Sequence, residues 1–273
     1  MKDNGSIETI RKFPSPNPNV ALFEISYWSE GLLVKGLLAK PVREGNYEAL
    51  LYLRGGLQFV GAVRPARIAQ FASHGFIVFA PYYRGNRGGQ GRDEFAGSDR
   101  YDAVHGGAVL KQFCNKDKIH VYGFSRGGLM ALWTSILRDD IHSVVVWAGV
   151  SNLSSMYIER VDMRRTLKRI IGGPPTKFKE LYDERTPLYK INKINAPVLI
   201  IHGLEDRNVS IEQAYYLENA LKRENKEYET WYYPSLPHHY PPKENRKTVK
   251  VLCEWMKSKS AKSVTDINTI DGN

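Results

Sequence analysis

The residues best suited to catalysis lie in one short segment, GFSRGG at positions 123–128. An apolar strand pattern at 120–122 precedes this segment, and a helical pattern at 129–137 follows it. A serine flanked by glycines in a strand-to-helix turn is typical of a nucleophile elbow, because only small neighbours let the strand and helix approach closely. We therefore expect Ser125 Oγ to project at the carboxyl end of a sheet, over the positive end of a helix dipole.

A serine is a weak nucleophile unless a base takes its proton and a carboxylate orients that base. In the chain order that accompanies such an elbow, the acid follows the serine and the histidine comes last. The strand pattern at 198–201 runs into a turn that contains Asp206, with Glu205 beside it. The strand pattern at 230–233 runs into a loop that contains His238 and His239. The residue types and their order therefore predict acyl-transfer chemistry.

Positioning these side chains requires strand ends that meet at one edge of a sheet. Short apolar runs alternate with segments of helical period along the chain, which predicts an α/β fold with a largely parallel sheet. The predicted strands are 49–53, 76–80, 120–122, 143–147, 198–201 and 230–233. The predicted helices are 65–74, 102–114, 126–137, 211–223 and 243–257. An antiparallel hairpin, 22–28 and 32–39, is predicted at one edge of the sheet.

The chain of 273 residues has no internal repeat and no Gly/Ser linker, so we expect a single domain over 1–273. Its Pro-rich opening predicts an extended N-terminal arm over residues 1–20. The stretch 150–195 is long for a plain crossover, and we expect helices there that cap one end of the sheet as a possible lid. The polar residues 258–273 predict a disordered tail.

Composition excludes several classes of protein. The first twenty residues hold no apolar run typical of a signal peptide, and no window is apolar enough to span a membrane, so we expect a cytoplasmic protein without membrane contact. Cys114 and Cys253 lie outside any metal-binding spacing, so no metal or cofactor is expected. The net charge of +10 accompanies no recognised nucleic-acid module, so no nucleic-acid partner is expected.

From about residue 25 to residue 255 the chain resembles the catalytic domain of the prolyl oligopeptidase family of serine hydrolases. The segments that carry the resemblance are 36–41, 51–56, 81–85, 123–128, 187–204 and 233–240. The resemblance implies an α/β-hydrolase fold: a mostly parallel twisted sheet, flanked by helices, with an antiparallel N-terminal edge hairpin.

The family's motifs assign roles to individual residues. The pattern His-Gly-x-x-Asp-x-x-Val selects Asp206 rather than Glu205, and the pattern Tyr-Pro, three residues, His selects His238 rather than His239. By this resemblance Ser125 is the nucleophile, Asp206 the orienting acid and His238 the base.

The resemblance also implies an oxyanion hole, made by the backbone N–H groups of Arg126 and Gly56. The segment RGGL at 54–57 is similar to the family's His-Gly-Gly-Pro. Arg54 stands where the family has His and Leu57 where it has Pro; backbone donors survive both changes, so Gly56 remains the expected second donor.

Residues after the strand that follows the elbow should lie beside the acyl pocket. By the resemblance, Asn152 and Tyr157 are candidate substrate-binding residues. Arg160 begins a basic run at 160–169, which is most simply a solvated face; the functional alternative is that Arg160 meets a substrate carboxylate.

The predicted activity is hydrolysis of small esters or short peptide amides through an acyl-enzyme on Ser125. Strict peptidases of the family carry a propeller ahead of the catalytic domain, and barely twenty residues precede the first predicted strand here. We therefore expect no propeller to restrict substrate size. A binding module with an inactive triad and an acyltransferase with the same triad stay open as alternatives. The residues leave peptidase and esterase activity both open and predict no oligomeric state.

Overall fold

A computed structural model describes residues 2–58, 60–114 and 119–265, the last five of them for the backbone alone. The strands are β1 (Ile7–Phe13), β2 (Val20–Ser29), β3 (Leu32–Pro41), β4 (Glu48–Leu53), β5 (Phe76–Pro81), β6 (Ile119–Phe124), β7 (Ile141–Trp147), β8 (Val198–Gly203) and β9 (Tyr228–Tyr233). Within the described residues they form one sheet in the order β1-β2-β3-β5-β4-β6-β7-β8-β9.

The sheet is parallel from β5 to β9 along this order and antiparallel at the end formed by β1, β2 and β3. Every residue of β5 and of β8 is buried. Strands covered on both faces are expected to be largely apolar, and these two are, apart from His202 at the end of β8. The predicted, largely parallel sheet is confirmed, and so are the six strands predicted within it.

Helices cover both faces of the sheet. Helices α1 (Pro65–Ser73) and α8 (Pro242–Thr265) pack on one face, and α2 (Arg100–Lys111), α3 (Gly127–Leu137) and α7 (Glu212–Arg223) pack on the other. Neighbouring residues of β4 illustrate the alternation: Leu50 packs with Phe71 of α1, whereas Leu51 packs in the cluster that contains Leu129 of α3. The active-site elements are therefore held by two hydrophobic cores.

The expected N-terminal arm is wrong for residues 7–13, which form the edge strand β1. This strand pairs antiparallel with β2, so the predicted β2–β3 hairpin and β1 together form the antiparallel end of the sheet. The sequence of β1, IETIRKF, lacks a buried apolar run, and the Ile10 side chain is 51% exposed. Charged and polar residues suit an edge strand. Its position comes from backbone pairing with β2, and Ile7 and Phe13 add partly buried contacts to the core.

The expected disordered tail is wrong for residues 258–265, which continue α8. Lys259 Nζ lies 2.6 Å from Glu227 Oε1, and Ser260 Oγ donates to Glu48 Oε2 at 2.9 Å. Through these contacts, polar side chains at the end of α8 bind residues next to β9 and in β4. This part of the helix is therefore held to the protein without an apolar face. The rest of the expected tail, 266–273, lies outside the described residues. Within the described part of the chain, no helix is long and apolar enough to cross a membrane.

The stretch 150–195 consists mainly of helices. They are α4 (Leu153–Glu159), α5 (Arg164–Ile171), α6 (Lys179–Asp183) and two 3₁₀ helices (Val161–Met163 and Pro187–Lys193). Leu167, Ile171 and Tyr182 bury their side chains in the core on the α2–α3 side of the sheet. That this stretch opens as a lid stays a prediction.

Candidate active site

Ser125 lies in the turn between β6 and α3 with a φ of +57°. A positive φ is rare for a residue with a Cβ and costs on the order of 1–3 kcal/mol, so the surrounding structure must impose it. The Ser125 N–H donates to the Trp147 carbonyl at 3.1 Å, and the Ser125 carbonyl accepts from the N–H groups of Gly128 and Val150. These bonds fix the strained turn, as a nucleophile elbow requires.

Close backbone contacts at the elbow leave room only for glycine at positions 123 and 127. A Cβ on Gly123 would lie 2.1 Å from the Gly127 carbonyl oxygen, and a Cβ on Gly127 would lie 2.1 Å from the Leu53 carbonyl oxygen. No side chain fits at either distance. The strand β6, the helix α3 and the end of β4 therefore meet at this turn only because both residues are glycine.

Asp206 and His238 lie in the loops that follow β8 and β9, and the structure brings them into contact. His238 Nδ1 donates to Asp206 Oδ2 at 2.7 Å, and both residues are buried. The N–H groups of Asn208 and Val209 donate to Asp206 Oδ1. Burial alone would raise the pKa of Asp206, but the hydrogen bond and charge of His238 and these two N–H groups outweigh it and lower the pKa.

The His238 ring also lies close to the elbow. Its centroid is 4.8 Å from that of Phe124, the residue before Ser125. Among the hydrogen bonds of the described residues, none engages Ser125 Oγ, so the hydroxyl is not held by another group. Catalytic hydrogen bonds are often long before substrate binds, so this geometry is compatible with proton transfer from Ser125 to His238.

The neighbouring candidates differ in their environment. His239 packs its ring against Phe124 and His238 but is exposed, and the carboxylate contact belongs to His238. Glu205 is exposed as well. The geometry of the Asp206–His238 pair thus favours the residues that the family motifs select.

A second histidine, His202, lies beneath Asp206. His202 Nε2 bonds to the Val209 carbonyl at 2.9 Å and lies 3.5 Å from Asp206 Oδ2. Burial lowers the pKa of His202, against the opposing effects of the Val209 carbonyl and the Asp206 charge. Sequence reasoning gave His202 no place in the site; its position at the end of β8, four residues before Asp206, is the signal that points to this contact.

The loop after β4 packs against the elbow. A Cβ on Gly55 would lie 2.8 Å from Ser125 Cβ, and a Cβ on Gly56, whose φ is +67°, would lie 2.1 Å from the Val60 carbonyl oxygen. The Gly56 carbonyl accepts a hydrogen bond from Arg126 Nη1 at 2.8 Å. Gly56 and Arg126, the expected oxyanion donors, are thus neighbours at the elbow. That their N–H groups bind an oxyanion stays a prediction.

The three candidate substrate-binding residues have structural partners. Asn152 Oδ1 accepts from the Ser155 N–H and caps α4, and the Tyr157 ring packs edge-on against the Tyr182 ring at 5.9 Å. Arg160 donates to the Asn208 carbonyl and pairs with Asp162 at 2.6 Å. Arg160 therefore contacts the loop that carries Asp206, and its guanidinium group is already paired with the Asp162 carboxylate.

Sequence reasoning missed a buried charge cluster under the elbow. Arg54 and Arg126 are 2% and 1% exposed, and both bind Asp93. The residue pattern held no signal for this cluster, because nothing in the sequence shows that these arginines are buried or which acid they meet. Among the described residues no group of three or more His, Cys, Asp or Glu side chains is arranged to hold a metal ion.

Solved structures share the fold of the chain. An acylaminoacyl peptidase from Pyrococcus horikoshii superposes with a TM-score of 0.75 at 22% identity, covering 93% of this chain and 42% of that one. An acetyl xylan esterase from Paenibacillus sp. R4 superposes with a TM-score of 0.71 at 16% identity, covering 92% of this chain and 88% of that one. These likenesses establish the α/β-hydrolase fold.

Curated relatives are closer in sequence. The uncharacterized peptidase YtmA of Bacillus subtilis (strain 168) is 54% identical over 252 residues, which cover 91% of this chain and 98% of YtmA. Mouse dipeptidyl peptidase 8 is 27% identical over 81% of this chain, which spans only 26% of that protein. A model of the prolyl oligopeptidase family matches residues 62–263, a stretch that includes Ser125, Asp206 and His238. The chain therefore belongs to the prolyl oligopeptidase family and is a serine hydrolase.

Proposed function

We propose that the protein hydrolyses small esters or short peptide amides through an acyl-enzyme on Ser125. The observation that carries the proposal is the buried 2.7 Å hydrogen bond between His238 and Asp206, adjacent to a serine held at positive φ. A histidine oriented by a buried carboxylate beside a strained, partly exposed serine is the arrangement that activates a hydroxyl nucleophile.

The roles of the three residues follow from their atoms. With its Nδ1–H donated to Asp206 Oδ2, the His238 imidazole keeps its Nε2 lone pair for the proton of Ser125. Ser125 Oγ attacks the acyl carbon, and His238 passes the proton to the departing alcohol or amine. Water then attacks the acyl-enzyme with His238 as base, which releases the acid and restores the serine.

The carbonyl oxygen becomes negative in the tetrahedral intermediate and needs donors. The N–H groups of Arg126 and Gly56 fill this role in the proposal. Removal of one such donor typically costs about 2.7 to 4 kcal/mol of transition-state stabilisation. No step requires a metal or an organic cofactor.

The comparisons support both substrate classes. The relatives named above are peptidases, and one structural neighbour is an acylaminoacyl peptidase in complex with Z-Gly-Gly-Phe-chloromethyl ketone, which supports short peptides. The acetyl xylan esterase that shares the fold, and of which the chain covers 88%, supports small esters. The chain spans less than half of the acylaminoacyl and dipeptidyl peptidases, so the support for short peptides comes from a matching part of those proteins and not from their whole length.

Labelling with a fluorophosphonate probe, followed by mass spectrometry, tests the proposal. We expect modification at Ser125, together with turnover of short-chain nitrophenyl esters, and neither in Ser125→Ala, whose unfolding free energy should change by less than about 1 kcal/mol. Aminoacyl nitroanilides then separate peptidase from esterase activity.

The two adjacent histidines provide a matched pair of variants. His238→Gln should lower kcat by about 10⁴-fold or more, whereas His239→Gln should change it by less than about tenfold. The reverse result would move the base to His239. Unlabelled Ser125 in folded protein would support the inactive binding module, and faster product formation with an added alcohol acceptor would support the acyltransferase.

A further inference from the structure

Two buried arginines bind successive carbonyls of the oxyanion loop, which comprises residues 54–58, 60 and 61 among those described. Arg54 Nη1 donates to the Gly55 carbonyl at 3.0 Å, and Arg126 Nη1 donates to the Gly56 carbonyl at 2.8 Å. The Tyr83 ring contacts both guanidinium groups, with ring centroid distances of 5.0 and 5.2 Å. The loop is therefore attached to the protein interior at two consecutive peptide units.

Asp93 joins the two arginines. Its Oδ1 lies 2.6 Å from Arg126 Nη2, and its Oδ2 lies 3.4 Å from Arg54 Nη2. Asn86 donates to Asp93 Oδ2 as well, and Asp99 pairs with Arg126 on the other side. Burial would raise the pKa of Asp93, but Arg126, Arg54 and Asn86 outweigh it and lower the pKa to about 2, so Asp93 is anionic at neutral pH.

The hydrogen bond from Arg54 to the Gly55 carbonyl also fixes the orientation of the Gly56 N–H. The Gly55–Gly56 peptide is trans, so the Gly55 carbonyl and the Gly56 N–H point in opposite directions within one rigid plane. With the carbonyl held toward Arg54, the Gly56 N–H is directed away from it. Gly55 itself packs against Ser125, so this N–H belongs to the peptide unit next to the nucleophile.

We propose that Arg54, Asp93 and Arg126 form a positioning network that orients the Gly56 N–H for the oxyanion. The proposal rests on the proposed function of Ser125. It gives a role to Arg54, which departs from the family's usual His, and to the side chain of Arg126, whose backbone N–H is the other expected donor. None of the three side chains contacts substrate in this proposal; they act through the loop.

A positioning role has a kinetic consequence that a purely structural one lacks. The oxyanion exists only in the tetrahedral intermediate and the transition states that flank it, so a misdirected N–H lowers kcat and leaves KM almost unchanged. Affinity for an alkylboronic acid, whose serine adduct is tetrahedral and anionic, should fall together with kcat. A loss of general packing would instead reduce thermal stability without this pattern.

The chain offers a matched control in a second buried ion pair. Arg84 Nη2 lies 2.8 Å from Asp102 Oδ1, and the Arg84 guanidinium bonds to that carboxylate rather than to the oxyanion loop. Breaking a buried pair is strongly destabilising in either place. Arg84→Gln and Arg54→Gln should therefore cost similar stability but differ in their effect on catalysis.

The experiment compares Arg54→Gln, Arg54→Lys, Asp93→Asn and Arg84→Gln with the wild type in the intact chain. For nitrophenyl ester hydrolysis we expect Arg54→Gln and Asp93→Asn to lower kcat by about 10- to 100-fold, with KM within about threefold. Arg54→Lys, which keeps one donor for the Gly55 carbonyl, should recover part of the loss. Arg84→Gln should leave kcat within about threefold. The boronic acid dissociation constant should rise by the same factor as kcat falls.

Hydrogen–deuterium exchange of the peptide that spans the oxyanion loop measures how firmly the network holds the loop, and it does not depend on catalytic activity. We expect faster exchange there in Arg54→Gln and Asp93→Asn than in Arg84→Gln. Equal loss of kcat in Arg54→Gln and Arg84→Gln, or unchanged boronic acid affinity in Arg54→Gln, would overturn the proposal. A wild type that turns over neither nitrophenyl esters nor aminoacyl nitroanilides would instead refute the proposed function, and exchange alone would then decide whether the network holds the loop.

Discussion

Asp206 uses its two carboxylate oxygens for different contacts. Oδ1 accepts two backbone N–H groups, which fix the carboxylate relative to its own loop, and Oδ2 accepts His238. His202 approaches Oδ2 from the strand beneath. The orientation of His238 therefore depends on β8 as well as on the loop that carries His238.

His202 is expected to make folding stability depend on pH. It is fully buried, and among the described residues its Nδ1 has no hydrogen-bond partner. Because burial holds its pKa below the ordinary value of 6.5, the unfolded chain binds this proton more tightly than the folded chain. The stability contributed by neutral His202 is complete above pH 6.5 and is lost as pH falls through its lower, folded-state pKa.

Urea unfolding at pH 7.5 and pH 5.5 measures this effect. The free energy of unfolding should fall more between these values in the wild type than in His202→Gln, which cannot take up the proton. The other histidines are present in both proteins, so the difference isolates His202. Identical pH dependence of the two proteins would show that His202 does not couple folding to protonation.

The sequence allows the residues at strand ends to be predicted, but not the charges buried between them. Ser125, Asp206 and His238 each follow a predicted strand, which places them at one edge of the sheet. The strand pattern alone leaves Glu205 and His239 open, and the family motifs select Asp206 and His238. Asp93 has no periodic pattern around it, and its partner Arg54 lies 39 residues away in the chain. Only the tertiary structure shows which acid neutralises which arginine.

At the scale of elements, the approach of α3 to β4 determines whether an elbow forms. Gly127 is the first residue of α3, and its Cα faces the Leu53 carbonyl at the end of β4. Because that carbonyl belongs to a strand in the middle of the sheet, it has little freedom to move away. The contact sets how far Ser125 can project above the sheet.

Gly127→Ala should therefore destabilise the protein by about 1–3 kcal/mol or more, as overpacking does. It should also slow fluorophosphonate labelling of Ser125. Gly106→Ala in α2 is the control, since the nearest atoms to its Cβ would be side-chain atoms of Phe79 and Leu51 at 3.3–3.4 Å. Urea unfolding should place that variant within about 1 kcal/mol of wild type. Equal destabilisation by the two substitutions would contradict a special role for the Gly127–Leu53 contact.

Elements that bury apolar residues were predictable, and those held by other contacts were not. The predicted strand at 76–80 differs from β5 (Phe76–Pro81) by one residue, because burial on both faces leaves a continuous apolar run. The edge strand β1 is held by hydrogen bonds to β2, the next strand along the chain, and its mostly polar, partly exposed sequence gives no apolar run that a pattern could detect. The end of α8 likewise depends on polar contacts to Glu227 and Glu48.

At the scale of the whole molecule, the arginines of the basic run at 160–169 differ in their partners. In the run 160–169, Arg160 pairs with Asp162, and Arg164 donates to the carbonyls of Tyr157 and Ile158 at the end of α4. Cations that bond the last carbonyls of a helix stabilise its carboxyl end. Two arginines of the run thus serve the fold, and the interpretation of the run as a solvated face applies to Arg165, Lys168 and Arg169, which are exposed.

This distribution predicts weak dependence of catalysis on salt. For an uncharged nitrophenyl ester, kcat/KM should change by less than about twofold between 50 and 300 mM NaCl, because the substrate carries no charge and the proposed oxyanion donors are backbone N–H groups. Binding of a DNA duplex, followed by fluorescence anisotropy, should be weak at physiological salt, with a dissociation constant no tighter than the 10⁻⁴ to 10⁻⁶ M typical of non-specific contact. A protein that neutralised 6–10 phosphates would lose about 10³- to 10⁵-fold in affinity between 50 and 200 mM salt. Tight binding with so steep a salt dependence would show that the net charge of +10 forms a phosphate-binding face after all.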